Sequence, residues 1–408
     1  MSSRGRYRGV ALVALATALT LTACTTDSQP APPTPSPTQA AYSAEQDAYS
    51  PITVDVTNDP VPVKATDGRI HMAYELLITN ATSGDVTIES VDAVAGSSTL
   101  QSLSGDQLPA LFRTIGTGGS APVLAGGQRG MVWMDAVVDT EADVPLSIDH
   151  VITVRAAEAH PPVFDTVTEV RAPRVPVDST PAVRIGPPLS GPNWLDANGC
   201  CELTPHRAAV SPINGAFNVP ERWAIDYVQL TDTNALFNGD PASLDSYPSY
   251  GRDILAVADG PIVAMTTDRP EQVPGTAPTG LTLDEYGGNY IVQDIGGGRF
   301  AFYAHLQPDN PQGLAIGQTL RRGDVIGLLG NTGNSDAPHL HFHVMSSPSP
   351  LASNGLPFVI DGFTLQGEVP TADDLDKAYD GTPYPIDTAH AGERTDEAPL
   401  VRTLMSYE

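Results

Sequence analysis

Lysine is almost missing from this chain: Lys64 and Lys377 are the only two among 408 residues, so arginine supplies nearly all the basic charge. We read that as coding bias towards arginine. Positive charge is scarce altogether, with 21 Lys+Arg against 48 Asp+Glu and a formal net charge of -27. A surface of that sign repels phosphate backbones, which argues against a nucleic-acid-binding role. Three cysteines are too few for a disulfide-built scaffold, and they are unevenly placed, Cys24 alone and Cys200 beside Cys201. Aromatic residues make up only 6%. The apolar run Val10 to Leu21, interrupted by two threonines, is shorter than the roughly 20 residues that span a bilayer as a permanent helix. What is abundant is 37 Gly and 38 Pro, the composition of many turns and short strands.

That short run follows Arg4, Arg6 and Arg8, so residues 1–23 read as an export signal. The segment ends Leu21-Thr22-Ala23-Cys24, which resembles a bacterial lipoprotein lipobox. The resemblance implies cleavage before Cys24, lipidation of its sulfur and anchorage on the outer face of the cell membrane. Residues 24–50 carry the lipidated Cys and five prolines but almost no large apolar side chains, so they are expected to form an extended tether.

From 51 to 185 apolar and polar residues alternate in short runs, as in Met72-Ala73-Tyr74-Glu75-Leu76-Leu77-Ile78 and Ile148-Asp149-His150-Val151-Ile152-Thr153-Val154. Turn clusters such as Asn80-Ala81-Thr82-Ser83-Gly84 separate them. The expectation is a mainly β chain whose first domain is an immunoglobulin-like antiparallel sandwich. His71, His150 and His160 are isolated in sequence and read as structural or surface residues. A proline-rich linker is expected between Pro173 and Pro188.

Five of the nine histidines lie between 206 and 343, and three stand in Pro338-His339-Leu340-His341-Phe342-His343-Val344. In a strand, side chains at i, i+2 and i+4 point to one face, so these imidazoles line up. Imidazole is the commonest protein ligand for zinc.

These residues sit in a wider pattern. Gly327-Leu328-Leu329-Gly330-Asn331-Thr332-Gly333-Asn334-Ser335 precedes the His string. Gly288-Asn289-Tyr290-Ile291-Val292, Phe302-Tyr303-Ala304-His305-Leu306 and Ile254-Leu255-Ala256-Val257-Ala258-Asp259-Gly260 lie upstream. Together they resemble the M23 (LytM/lysostaphin-type) zinc peptidases over about 205–350. The resemblance implies an antiparallel β-sheet domain over 186–365, a Zn²⁺ cofactor and cleavage of peptidoglycan peptides by a metal-activated water. The family holds zinc with the His and Asp of an H-x-x-x-D motif and the second His of H-x-H. Carried over, the Asp is Asp226 and the second His is His341. His305 and His339 match the pair that acts as general base and transition-state stabiliser.

The family's first ligand, four residues before Asp226, is replaced by Arg222, whose guanidinium has no lone pair for a cation. The residue after Phe342, usually acidic in the family, is His343. The stretch Tyr227 to Tyr250 is longer than the family's and reads as an added loop over the groove. Three arrangements are open at this point. Arg222 pairs with Asp226 and the site is dead, leaving a domain that binds wall peptides or activates a partner wall hydrolase. His206, or the thiolates of Cys200 and Cys201, supplies the missing ligand. Or His343 joins His341 at the metal. The adjacent cysteines could instead close a vicinal disulfide. Residues 366–408, with ten acids and three bases, read as an acidic tail or strap, within which Pro399-Leu400-Val401-Arg402-Thr403-Leu404 could add a last edge strand.

Overall fold

A strand that alternates with period two buries one face and leaves the other to be covered or solvated. The computed structural model describes residues 48–309, 312–377 and 380–408, and the first domain follows this rule. The expected signal segment, Cys24 and most of the tether lie outside the described residues. One five-stranded sheet runs in the order Ile52–Val56, Ile70–Asn80, Arg129–Val138, Phe112–Thr114, with Val63–Lys64 on the second strand. A second five-stranded sheet runs Val167–Pro176, Ser147–Ala156, Val86–Ala95, Ser98–Ser104, with Val123–Leu124 on the third. All pairings are antiparallel. Met72, Tyr74, Leu76 and Ile78 from the first sheet share one core with Ile88, Val91, Ile152 and Val154 from the second. His150 is buried in that core and bonds the Tyr74 hydroxyl through Nε2 at 2.8 Å.

The strand Ile70–Asn80 breaks the expected alternation, because nearly every residue in it is buried. Its second face does not meet water. Ala73 belongs to the core of the C-terminal half, and Leu77 packs with Trp133 against Leu203, Val210 and Phe217. Glu75, which alternation places towards solvent, is fully buried on this face.

The C-terminal half is built on an 11-stranded sheet of antiparallel pairs. Its central strands are Asn289–Asp294, Phe300–Leu306, Leu340–Met345, Ile225–Gln229 and Gly191–Asp196, in that order. Residues 366–408 are not a solvated tail. Thr403–Tyr407 lies inside this sheet, between Gly191–Asp196 and Phe363–Glu368, with Leu404, Met405 and Tyr407 buried. Its apolar residues decide the matter, because burying them outweighs the acidity of the surrounding segment. The expected linker is also structured: Val167–Pro176 completes the sandwich and Val183–Ile185 pairs in parallel with Phe358–Ile360. Residues 49–408 form one compact unit, and Lys64 reaches Glu397 at 2.9 Å across its two halves. Among the described residues no helix is long and apolar enough to cross a membrane.

Candidate metal centre

Strand register assembles the first part of the site. Asp226 and His341 are direct cross-strand partners, and Ala304 opposes His341 on the other side. Opposed residues in antiparallel strands share a face, so both side chains point into one cavity. His341 Nδ1 lies 3.0 Å from Asp226 Oδ1. His206 enters from outside this sheet, on the four-residue helix Pro205–Ala208, which Thr204 caps by accepting from the Arg207 backbone N–H. Its Nε2 lies 3.2 Å from Asp226 Oδ2. One ligand atom each from His206, Asp226 and His341 falls within 4.8 Å of the other two.

Two imidazoles and a carboxylate around one point form a three-ligand set that leaves a position open, the chemistry of a catalytic zinc site. Hydrogen bonds behind the ligands favour the required tautomers. His206 Nδ1 donates to the Ala224 carbonyl at 3.1 Å, which frees the Nε2 lone pair. His341 Nε2 meets His343 Nδ1 at 2.9 Å, so an Nε2–H donated there would leave Nδ1 to coordinate. Asn198 Nδ2 donates to Asp226 Oδ2 at 3.1 Å.

His305 and His339 stand beside this trio with ring centroids 4.6 Å apart. His339 Nδ1 donates to the Ala337 carbonyl at 2.8 Å, and its Nε2 faces Asp226 Oδ1 at 3.3 Å. His305 Nδ1 donates to the Thr332 carbonyl at 2.7 Å, leaving Nε2 as a proton acceptor. The His305 backbone has φ 65, the left-handed region that non-glycine residues adopt at a cost and mainly at functional positions. The loop that presents Thr332 demands glycine: a Cβ on Gly333, at φ +73, would lie 2.2 Å from the Gly288 nitrogen.

Charge separates His206 and His339 from His305. Burial works against protonating His206, but Asp226 overrides it and lifts the group to about 9. His339 is raised by the same carboxylate against the same burial. Burial, with His339 and His341 as neighbours, holds His305 well below the ordinary imidazole value, so it stays neutral. Burial would raise Asp226, yet His206 and His339 hold it well below the usual carboxylate range.

Several expectations fail here. Arg222 does not pair with Asp226: it turns away and forms a bidentate pair with Glu75 of the sandwich, Nη2 to Oε2 at 2.6 Å and Nε to Oε1 at 2.9 Å. Glu75 is a buried carboxylate that needs a cation, and Asp226 is already served by imidazoles. Cys200 and Cys201 are joined in a disulfide, so their thiolates are not ligands. His343 is on the same face as His341 but behind it, as its hydrogen-bond partner and outside the trio. The long stretch after Asp226 does not cover the groove. Leu236 and Tyr247 bury themselves against Leu195 and Val369, and Ser249 bonds the Pro338 carbonyl at 2.7 Å. A different segment, with Ala277, Pro278, Leu283 and Tyr286, walls the cavity of about 630 Å³ over the histidines. His71 has the structural role expected of it. It bridges Asp135 at 2.8 Å and Asp67 at 3.1 Å. Burial opposes its charge, but these carboxylates raise it to about 9. Asn198 and Glu75 carried no sequence signal, because each acts through tertiary contacts.

Residues 242–353 match the Peptidase family M23 model. The chain carries a peptidase M23 domain. The matched stretch contains His305, His339 and His341 and stops short of His206, Arg222 and Asp226, the part where this chain departs from the pattern. The chain is 33% identical over 115 residues to the peptidoglycan DD-endopeptidase ShyA of Vibrio cholerae, covering 28% of this chain and 25% of that protein. It is 30% identical over 126 residues to the glycyl-glycine endopeptidase ALE-1 of Staphylococcus capitis, covering 30% and 29%. The chain thus spans between a quarter and a third of the length of these relatives. Among solved structures, the catalytic domain of lysostaphin from Staphylococcus simulans aligns at 21% identity and TM-score 0.21, over 40% of this chain and 84% of that one.

Proposed function

We propose that this protein is a zinc metalloendopeptidase that cleaves peptides of peptidoglycan, with His206 standing in for the family's first ligand. One observation carries the reading: His206, Asp226 and His341 converge while Arg222 is withdrawn from the site. The relatives, a DD-endopeptidase and a glycyl-glycine endopeptidase, supply the substrate class. Zinc, when bound, supplies Lewis acidity and activates water at neutral pH. His206 Nε2, Asp226 and His341 Nδ1 would hold it. His305, neutral and with its free Nε2 facing the cavity, accepts a proton from water or returns one to a leaving amine. His339, whose Nδ1 is committed to the Ala337 carbonyl, turns Nε2 towards the site and stabilises negative charge that develops on the substrate carbonyl. The walls around Leu283 and Tyr286 give the peptide an apolar bed.

The same proposal places the protein outside the cell, held to the membrane by lipid on Cys24. The motif Leu21-Thr22-Ala23-Cys24 and the proline-rich segment behind it support this. A net charge of -27 gives no electrostatic hold on anionic lipid or wall polymer, so the lipid does the anchoring.

Metal analysis of purified protein is expected to find about one zinc per chain, lost in both His206→Ala and Asp226→Ala. Cross-linked peptidoglycan peptides followed by mass spectrometry should be cut by the wild type and left whole by either variant. A protein that takes up no zinc on reconstitution sinks the enzyme reading and leaves a wall-binding or hydrolase-activating role.

A further inference from the structure

The two segments that bring His206 and Asp226 to the site are tied to one side chain of the other half of the molecule. Arg207, next to His206, donates to Glu75 Oε1 and, through Nη2, to the Met134 carbonyl at 3.0 Å. Arg222, four residues before Asp226, donates to both Glu75 oxygens and to Asn58 Oδ1 at 2.8 Å. Thr57 Oγ1 donates to Glu75 Oε2 at 2.7 Å. Glu75, Arg207 and Arg222 are 0%, 1% and 3% exposed, so water cannot replace any of these bonds.

Two buried guanidiniums share a single carboxylate, so removing its charge leaves both without the anion they hydrogen-bond. The connection to the ligands is short. Arg222 fixes one end of Glu221-Arg222-Trp223-Ala224-Ile225-Asp226. The Ala224 carbonyl within it orients His206 Nδ1, and Asp226 faces His206 Nε2. Arg207 holds the helix Pro205–Ala208 from its other side.

We propose that Glu75 is a positioning residue for the metal centre and that the N-terminal sandwich is an integral part of that centre, not a separate binding module. The inference rests on reading the site as a zinc centre. In this chain the first ligand comes from a separate segment, and the sandwich supplies the counter-charge that sets it in place. The arginine at the lost ligand position is thereby given a use.

The test measures zinc affinity of the full chain by chelator competition in Glu75→Gln, with Lys64→Ala as control. Lys64 also crosses between the halves, to Glu397, but touches neither ligand segment. Glu75→Gln is expected to weaken zinc binding by about 10- to 100-fold, the range for groups that orient metal ligands. Lys64→Ala should leave it unchanged. Unchanged affinity in a folded Glu75→Gln, or equal losses in both variants, would overturn the proposal. Should Glu75→Gln fail to fold, Thr57→Val decides: removal of one bond to Glu75 should cost roughly threefold in affinity, and no loss refutes. Hydrogen exchange without metal separates this idea from the zinc reading. Peptides covering 204–210 and 219–227 should exchange faster in Glu75→Gln even if the wild type binds no zinc. Unaltered exchange there would also refute it.

Discussion

Zinc uptake by this site should be coupled to proton release, with a slope set by His206. In the metal-free protein Asp226 raises His206 to about 9, against an ordinary value of 6.5. A coordinating imidazole must be neutral, so below that value each zinc has to displace a proton from Nε2. At pH 7 only about one molecule in 100 is already neutral, and the apparent affinity is lower than its alkaline limit by about 100-fold. The sign follows from linkage. The charged pair stabilises the metal-free fold fully below 6.5, and that contribution fades as pH rises through about 9. Zinc affinity gains what the pair loses. Chelator competition between pH 6 and 8 should show at least one decade of affinity per pH unit. Calorimetry at pH 7 in buffers of different ionisation enthalpy should count at least one proton released per zinc. His339, raised by the same carboxylate, can only add to that count. In His206→Ala the proton released by His206 should disappear along with most of the affinity. A flat pH profile with no proton released at pH 7 would refute the pairing of His206 with Asp226.

Two further outcomes follow from histidines outside the ligand trio. His343 takes the Nε2 side of His341, so His343→Ala should weaken zinc binding by about 10- to 100-fold, while His343→Glu, which restores an acceptor, should recover most of it. Chelator competition reads both, and equal losses would remove His343 from the metal centre. His71, held charged by Asp135 and Asp67 at about 9, should contribute on the order of 3 kcal/mol below pH 6.5 and lose it as pH rises through about 9. Urea unfolding at pH 6 and pH 10 should show that fall in the wild type and not in His71→Gln.

The parts of the site legible in the sequence are those set by local spacing. Period two put His339, His341 and His343 on one face, and the family resemblance carried by Phe302-Tyr303-Ala304-His305-Leu306 located His305. The β character of both halves was equally readable, since alternation and turn residues report it directly. What could not be read is whatever depends on a partner far along the chain. Glu75 sits in a strand whose alternation gives a polar outward position, and only the second half of the protein turns that position into an interior one. Arg222 read as a partner for Asp226 because that was its only visible neighbour, while its actual partner is 147 residues away. The acidic C-terminal segment misled for a related reason. Its average charge hides Leu404, Met405 and Tyr407, and those three residues determine its place in the sheet.

Moving the first ligand from four residues before Asp226 to about 20 has an energetic consequence. A ligand pair one turn apart is positioned by its own short loop. A pair 20 residues apart must first close a longer one, which costs about 1.4 kcal/mol more in chain entropy by the logarithmic loop rule. If that cost fell on zinc binding, affinity would drop about tenfold relative to the compact motif. Here the closure is made during folding: the Arg207 and Arg222 bonds to Glu75 hold both segments, and the Ala224 carbonyl aligns His206 before any metal arrives. The remaining opposition to zinc is therefore the proton on His206 and not the loop. Raising pH should relieve that opposition, while lengthening the loop between Arg207 and Arg222 should leave zinc affinity untouched and lower only the stability of the metal-free fold.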